Sequence, residues 1–167
     1  MKKNHNFSYK NKNIDNQVSQ IQLKLKRVTK SDADFLFLLY NSSNKREKRP
    51  LITYNDNKKF VSNFVQKKPQ RVFDAWYIIK YNGHSIGSVT LKKKTNDCGY
   101  WLLPEYQNKG IGTWAFNELM KLNPRSFYVL IIHPYNKRSI HMAKKFGFKI
   151  DTYKYMLDTK LTNKKFL

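Results

Sequence analysis

Apolar positions along the chain come in short bursts separated by polar, proline or glycine breaks, and the spacing within each burst names the element. Ile21, Leu23 and Leu25 alternate with Gln22, Lys24 and Lys26, the period of a strand with one buried face. Thr29 and Ser31 precede Asp32 and Asp34 as a helix cap would. The run Phe35–Tyr40 then predicts a helix ending near Asn41–Asn44, followed by a basic connector from Lys45 to Pro50. Phe60, Val61, Phe64 and Val65 recur at i, i+4 and place a second short helix from Asp56 to about Lys67, closed by Pro69. Phe73–Tyr81 and His84–Leu91 flank Asn82-Gly83, the strongest short-range hairpin signal. Gly87, inside the second of these strands, predicts a bulge or a close backbone approach.

Past a polar turn at Lys92–Asn96, Cys98–Leu103 reads as the next strand. Gly110 and Gly112 open a helix with Ile111, Ala115, Leu119 and Leu122 on one face and Trp114 near it, ended by Pro124. Phe127–Ile132 is almost continuously apolar, which predicts a central strand buried on both faces. His133-Pro134-Tyr135 breaks it. Asn136 to Phe146 predicts a helix facing Ile140 and Ala143 inward and capped by Gly147, and Tyr153–Leu157 a final strand. The order of elements is that of an α+β protein with a mixed sheet. Its 167 residues form one domain by size, over 21–158, between a flexible basic tail at 1–20 and a basic tail at 159–167. The alternative for residues 1–20 is a basic arm that touches acidic partners.

Composition changes this picture in two places. The formal charge of +22 admits nucleic acid, an anionic membrane surface or an acidic substrate as a partner, or a diffusely solvated surface, since lysines run from end to end among many asparagines. The single cysteine, Cys98, excludes an internal disulfide, fits a reducing compartment, and reads as a small core residue or a nucleophile. No apolar run approaches the ~18 residues that span a bilayer, and no apolar segment follows the Met-Lys-Lys start, so a cytoplasmic protein away from membranes is expected.

The candidate chemistry sits where the strand ending Tyr100–Leu103 stops at Pro104 and passes through Gln107-Asn108-Lys109-Gly110-Ile111-Gly112-Thr113 into a helix. A strand that feeds a helix through glycines gathers free backbone N–H groups and a positive helix end at one point, which suits phosphate or pyrophosphate. Lys109 adds charge and Thr113 a hydroxyl. The same residues also read as a tight strand-to-helix turn. They are not a P-loop, lacking the Gly-Lys-Ser/Thr ending, nor a dinucleotide fingerprint, lacking the third glycine.

Gln107-Asn-Lys-Gly110-Ile-Gly112 resembles the acetyl-CoA motif Gln/Arg-x-x-Gly-x-Gly/Ala of the GNAT N-acetyltransferase superfamily, and Asn136-Lys-Arg-Ser139 with Lys145-Phe-Gly147-Phe148 resembles its second motif. Gly99–Gln107, with Asp32, Asn41 and Arg46, looks most like the branch that acetylates the N-termini of ribosomal proteins. The resemblance covers about residues 21–158. It implies a single-domain, mostly antiparallel mixed sheet of about six to seven strands flanked by about four helices, splayed between its two central strands. It further implies acetyl-CoA as co-substrate and no metal. Leu102 and Leu103 would bond the pantetheine arm through their backbone, the loop from Gln107 to Gly112 with Thr113 would hold the pyrophosphate, Asn136 would bond the pantetheine, and Arg138 would reach the nucleotide end. Asn136 also reads as a plain helix cap, and Arg138 as a solvated cation.

The implied reaction has an amine attack a thioester, so a base must take a proton from an amine titrating near 8 to 10, and an acid helps the thiolate leave. Many relatives place a tyrosine seven residues after the motif Asn; here that position is Ala143. Ser139 becomes the thiol-facing hydroxyl and Asp97 the candidate base. Glu105, His133 and His141 are further titratable groups with structural readings. The acceptor implied is a protein N-terminus; the charge suits an anionic small amine such as an amino-sugar nucleotide; and the oligomeric state is monomer or homodimer. A non-catalytic acyl-CoA-binding or nucleic-acid-binding module on the same fold is the alternative.

Overall fold

The computed structural model describes residues 22–47 and 51–151, with the side chains of 43–47 excepted. The anticipated tails and the strand at Tyr153–Leu157 lie outside the described residues. Strand β1 (Leu23–Arg27) leads through a 3-10 turn (Lys30–Asp32) into helix α1 (Ala33–Glu47), and α2 (Tyr54–Val65) follows. The cap expected at Thr29 is built as the sequence suggests. The Asp32 carboxylate accepts from the backbone N–H and the hydroxyl of Thr29, both at 2.7 Å, and pairs with Lys26 Nζ at 2.9 Å. Burial alone would raise the Asp32 carboxyl, but the bonds from Lys26 and Thr29 outweigh it and hold the group below its ordinary value.

α1 continues past the polar run at Asn41–Asn44, where an end was expected. The polar side chains find partners outside the helix ladder's way: Asn41 exchanges two 3.3 Å bonds with the backbone of Ile52, and the Ser42 hydroxyl donates to the Leu39 carbonyl at 3.0 Å. Residues that compete with a helix in isolation are thus tolerated.

Strands β2 (Phe73–Tyr81) and β3 (His84–Lys92) form the expected hairpin, with Asn82 and Gly83 both at positive φ. A register shift follows the Ile79↔Gly87 pair, which is the anticipated bulge. β4 (Asp97–Leu102) pairs antiparallel to β3 and parallel to β5 (Val129–Leu130), giving a mixed five-stranded sheet in the order β1-β2-β3-β4-β5. Among the described residues this is fewer than the six to seven strands expected. β5 is also shorter than the Phe127–Ile132 run and is not buried on both faces. Its described ladder holds two residue pairs, after which the chain leaves β4 and carries Ile131 out to 79% exposure.

The pleat divides the sheet's side chains between two cores. Trp76 and Ile78 pack with Leu36, Val61 and Phe64 beneath α1 and α2. Ala75, Val89, Leu91, Cys98 and Leu102 pack on the other face with Ile111, Ala115, Phe116 and Leu119 of helix α3 (Ile111–Leu122). Phe116 is fully buried, worth about 1.5–3 kcal/mol by area. Its ring meets Phe146 edge-on at 5.2 Å, which ties α3 to the end of helix α4 (Lys137–Lys145). Gly147 closes α4 as predicted, with Phe148 N–H donating to the Ala143 carbonyl and Gly147 N–H to that of Lys144.

Candidate functional site

β4 ends at Leu102, a 3-10 turn (Pro104–Tyr106) follows, and Gln107–Gly110 carries the chain to α3. Gln107 braces this loop by donating its side-chain N–H to the Leu102 carbonyl at 2.9 Å. Asn108 (φ 64°) and Gly110 (φ 75°) both adopt the left-handed conformation, which turns the backbone amides of the helix start outward. α2 and α4 have their first turns capped by Thr53 and Asn136 side chains, whereas α3 starts at Gly110 with no side-chain cap. Its first-turn N–H groups, carrying roughly half a positive charge between them, therefore have no side-chain acceptor. The second glycine has a different purpose. A Cβ on Gly112 would sit 2.5 Å from the Tyr100 ring, so its absence lets α3 close onto β4.

The parting of β4 and β5 makes room beside this helix start. Pairing holds at Asp97↔Val129 and Cys98↔Leu130 and then ceases, leaving Gly99–Leu102 without a described neighbour on that side. Leu103 N–H donates to Ile86 and its carbonyl accepts from Tyr106, so both its backbone groups are engaged elsewhere. By the alternation of an antiparallel ladder, Leu102 turns its N–H and carbonyl away from β3; the carbonyl accepts from Gln107, and the N–H faces the gap. Of the two leucines singled out from the sequence, Leu102 is the one that reaches the site.

α4 supplies the far wall. Asn136 accepts from Ser139 N–H at 3.2 Å through Oδ1, so it is a helix cap, and its amide nitrogen is the part left to face the cleft. Between these walls lies a cleft of ≈ 650 Å³, lined among others by Leu102, Gln107, Asn108, Gly110, Gly112, Thr113, Asn136, Arg138 and Ser139. It is also bordered by His141, one of the titratable groups named from the sequence, and by Tyr100, Trp101, Lys137, Met142 and Lys145, to which the sequence assigned no role in the site. Arg138, His141, Met142 and Lys145 stand at i, i+3, i+4 and i+7, one helical face, and that spacing was the signal available. Among the described lining residues there is no carboxylate, while Lys137, Arg138 and Lys145 are cationic. An anion is what this cleft suits, and the uncapped helix start beside three cations fits a pyrophosphate.

Other expected residues are not brought to the cleft. Asp97 stands at the opposite end of β4, roughly 16 Å along the strand from Leu102 at ~3.3 Å per residue, and pairs with Lys92 Nζ at 2.9 Å. Lys109 extends over the Tyr106 ring at 5.7 Å, and Ile111 is buried in the core with only its backbone at the helix start. Glu105 is exposed in its 3-10 turn, and His133 Nδ1 accepts from Tyr135 N–H at 3.4 Å outside the cleft. Cys98 is buried on β4, and that burial, with the Asp97 charge adding to it, pushes its thiol up to about 12; this is a core cysteine rather than a nucleophile. Among the described residues no group of three or more His, Cys, Asp or Glu could hold a metal ion, and no helix is long and apolar enough to cross a membrane.

Residues 22–149 match the acetyltransferase (GNAT) domain family. None of the curated proteins matches the chain. Among solved structures, RimL, a ribosomal L7/L12 α-N-protein acetyltransferase in complex with coenzyme A, superposes with a TM-score of 0.66 at 19% identity, over 81% of this chain and 84% of that one. The microcin C7 self-immunity acetyltransferase MccE, in complex with acetyl-CoA and AMP, gives 0.62 at 25% identity over 78% and 80%. The putative acetyltransferase yncA from Salmonella typhimurium, with acetyl-CoA, gives 0.64 at 14% identity over 80% and 82%.

Proposed function

The chain belongs to the acetyltransferase (GNAT) domain family, an acyltransferase family that takes its acetyl group from acetyl-CoA, and from that premise we propose that it transfers this group directly to a primary amine, either a protein N-terminus or a small-molecule amine. The observation that carries the reading is the junction of an uncapped helix start, a strand whose neighbour has parted from it, and a cationic wall on α4, all lining one cleft.

The first-turn N–H groups of α3, with Arg138, Lys137 and Lys145, would hold the pyrophosphate and the nucleotide end. Leu102 would offer its backbone to the amide-bearing arm, with Asn136 contributing its amide nitrogen. Acetyl-CoA supplies an acyl group activated as a thioester. The attacking nitrogen forms the new N–C bond as the C–S bond breaks; the nitrogen loses a proton and the sulfur gains one. Ser139, half-buried in the cleft wall, is the hydroxyl we assign to the departing sulfur. A protein α-amine titrates near 8, so roughly a fifth to a quarter of it is already neutral at pH 7.4, and a dedicated base contributes little for such an acceptor. This accords with Asp97 lying away from the cleft.

The test is release of free thiol from acetyl-CoA across a panel of amines. Turnover should appear, and Ser139→Ala should lower kcat about 10²-fold with little change in the KM for acetyl-CoA. Tight CoA binding with no thiol released on any amine would refute transfer and leave a binding module.

A further inference from the structure

The cleft is one of two concavities that share Trp101 as a wall. The second lies on the other face of the sheet, beneath α1 and α2, and is an open pocket of ≈ 170 Å³. Leu36, Leu39, Phe60, Phe73, Trp76 and Trp101 are among the residues that line it. Leu36, Leu39 and Trp76 are buried, so these walls are set by the core and not by mobile side chains. The polar atoms around it are largely committed. Trp76 Nε1 donates to the Ser88 hydroxyl at 2.8 Å, and Asn57 Nδ2 donates to the Ala33 carbonyl at 2.7 Å. Among the described residues, no charged side chain lines it.

Size and polarity together specify an occupant. A cavity of about 150 Å³ lined by aliphatic and aromatic side chains takes up benzene. A hydroxymethyl group would leave most of the present space empty, and a second ammonium or a phosphate would enter with no countercharge among the described residues. We infer that this pocket selects the acceptor, taking an uncharged apolar group of about benzene size, aryl or branched alkyl, borne close to the reactive amine. The inference rests on the acetyl-transfer reading and narrows it. Trp101 would lie between the seated group and the cleft, so the amine extends past that ring toward Ser139. An amine held against apolar walls also sheds its proton more readily, because burial disfavours its charged form. The same chemistry comes from two sources: a protein whose first residue is Phe, Leu or Ile, or a free arylalkyl amine.

The experiment measures kcat/KM by thiol release for phenethylamine, isoamylamine, ethylamine and spermidine, and for tripeptides that begin with Phe, Leu, Ser or Lys. Each methylene seated in an apolar pocket is worth roughly tenfold or more. The benzene-sized amines and termini should therefore exceed ethylamine, Ser- and Lys-initiated acceptors by on the order of 100-fold. Comparing the peptide arm with the free-amine arm identifies the source. Ile52→Phe, which fills the pocket from its rim, should collapse the phenethylamine-to-ethylamine ratio to within about threefold of one. Phe60→Ala should shift preference toward bulkier rings. Circular dichroism confirms that both variants fold. A flat profile across the panel, or preference for serine, lysine or spermidine, overturns the inference while leaving acetyl transfer intact. If no amine is acetylated, titration of phenethylamine into the CoA-loaded protein, read by fluorescence of Trp76 and Trp101, separates the two. A saturable change abolished by Ile52→Phe upholds the pocket and sinks transfer, and no change sinks both.

Discussion

Gly110→Asp puts a carboxylate at the start of α3 and little else. An added Cβ at this position meets nothing within 4 Å, so there is no steric penalty. The backbone cost of a non-glycine residue at φ 75° is about 1 kcal/mol, and aspartate is among the residues that tolerate it best. The electrostatic cost is larger. A carboxylate about 5 Å from each of two pyrophosphate charges opposes them by ~3 kcal/mol apiece at an effective dielectric of about 20, and by ~0.8 kcal/mol apiece in bulk water. Gly110 is exposed, which places the sum between these limits, at about 3 kcal/mol, or roughly a 100-fold rise in the Kd for CoA. Calorimetric titration of CoA into wild type, Gly110→Asp and Gly110→Asn at 0.1 M salt measures it. The asparagine variant carries the same backbone cost without the charge and should bind within about fivefold of wild type. Raising the salt to 1 M cuts the Debye length from about 10 to about 3 Å and should close most of the gap between the two variants. CoA binding by Gly110→Asp within threefold of wild type, in a protein whose Tm matches that of Gly110→Asn, would refute the placement of the pyrophosphate at this helix start.

Other substitutions probe the surroundings. Gly112→Ala drives a methyl to 2.5 Å from the Tyr100 ring and should cost about 1–3 kcal/mol in urea unfolding; Tyr100→Leu in the same chain should recover part of it. Cys98, its thiol pushed up to about 12, should resist Ellman's reagent at pH 8 in the native protein and react stoichiometrically in guanidinium; rapid native labelling would contradict its burial. Asp32 has a folded-state carboxyl below its ordinary 3.8, so its contribution is fully present above that value and disappears as pH falls through the lowered one. Urea midpoints from pH 6 to pH 2 should show this acid limb, and Asp32→Asn should flatten it while costing about 1–2 kcal/mol at pH 6.

What the sequence disclosed depended on whether neighbours in space were also neighbours in the chain. The Asn82-Gly83 hairpin, the Thr29–Asp32 cap and the Gly147 helix end are local events, and each is where its residues say it should be. The glycine loop was legible too, although Gly110 and Gly112 turn out to serve a backbone angle and a close packing contact respectively. Long-range arrangement was not. An apolar run at Phe127–Ile132 looks the same whether it pairs along its length or leaves its partner after two residues. Asp97 and Leu102 are five positions apart on one strand, yet one faces the cleft and the other an ion pair with Lys92, a separation set by strand length. The pocket under α1 and α2 draws on α1, α2, β2, β3 and β4 at once, and no single stretch announces it.

The brief contact between β4 and β5 has a consequence for how the protein meets its co-substrate. A strand edge that shows amide and carbonyl groups to a gap lacks one ladder of bonds, and a ligand arm that bears amides can take the place of the missing strand. Binding is then a completion of the sheet, and its free energy becomes folding free energy: at a hundred times the Kd the folded state gains about 2.7 kcal/mol. The amide hydrogens of Tyr100 and Leu102, which alternate away from β3, should exchange with solvent readily in the free protein and slowly once CoA is bound, with that of Trp101 and the hairpin amides of β2 and β3 changing less. The abundance of the protein in a cell would, by this route, follow the supply of the molecule it consumes.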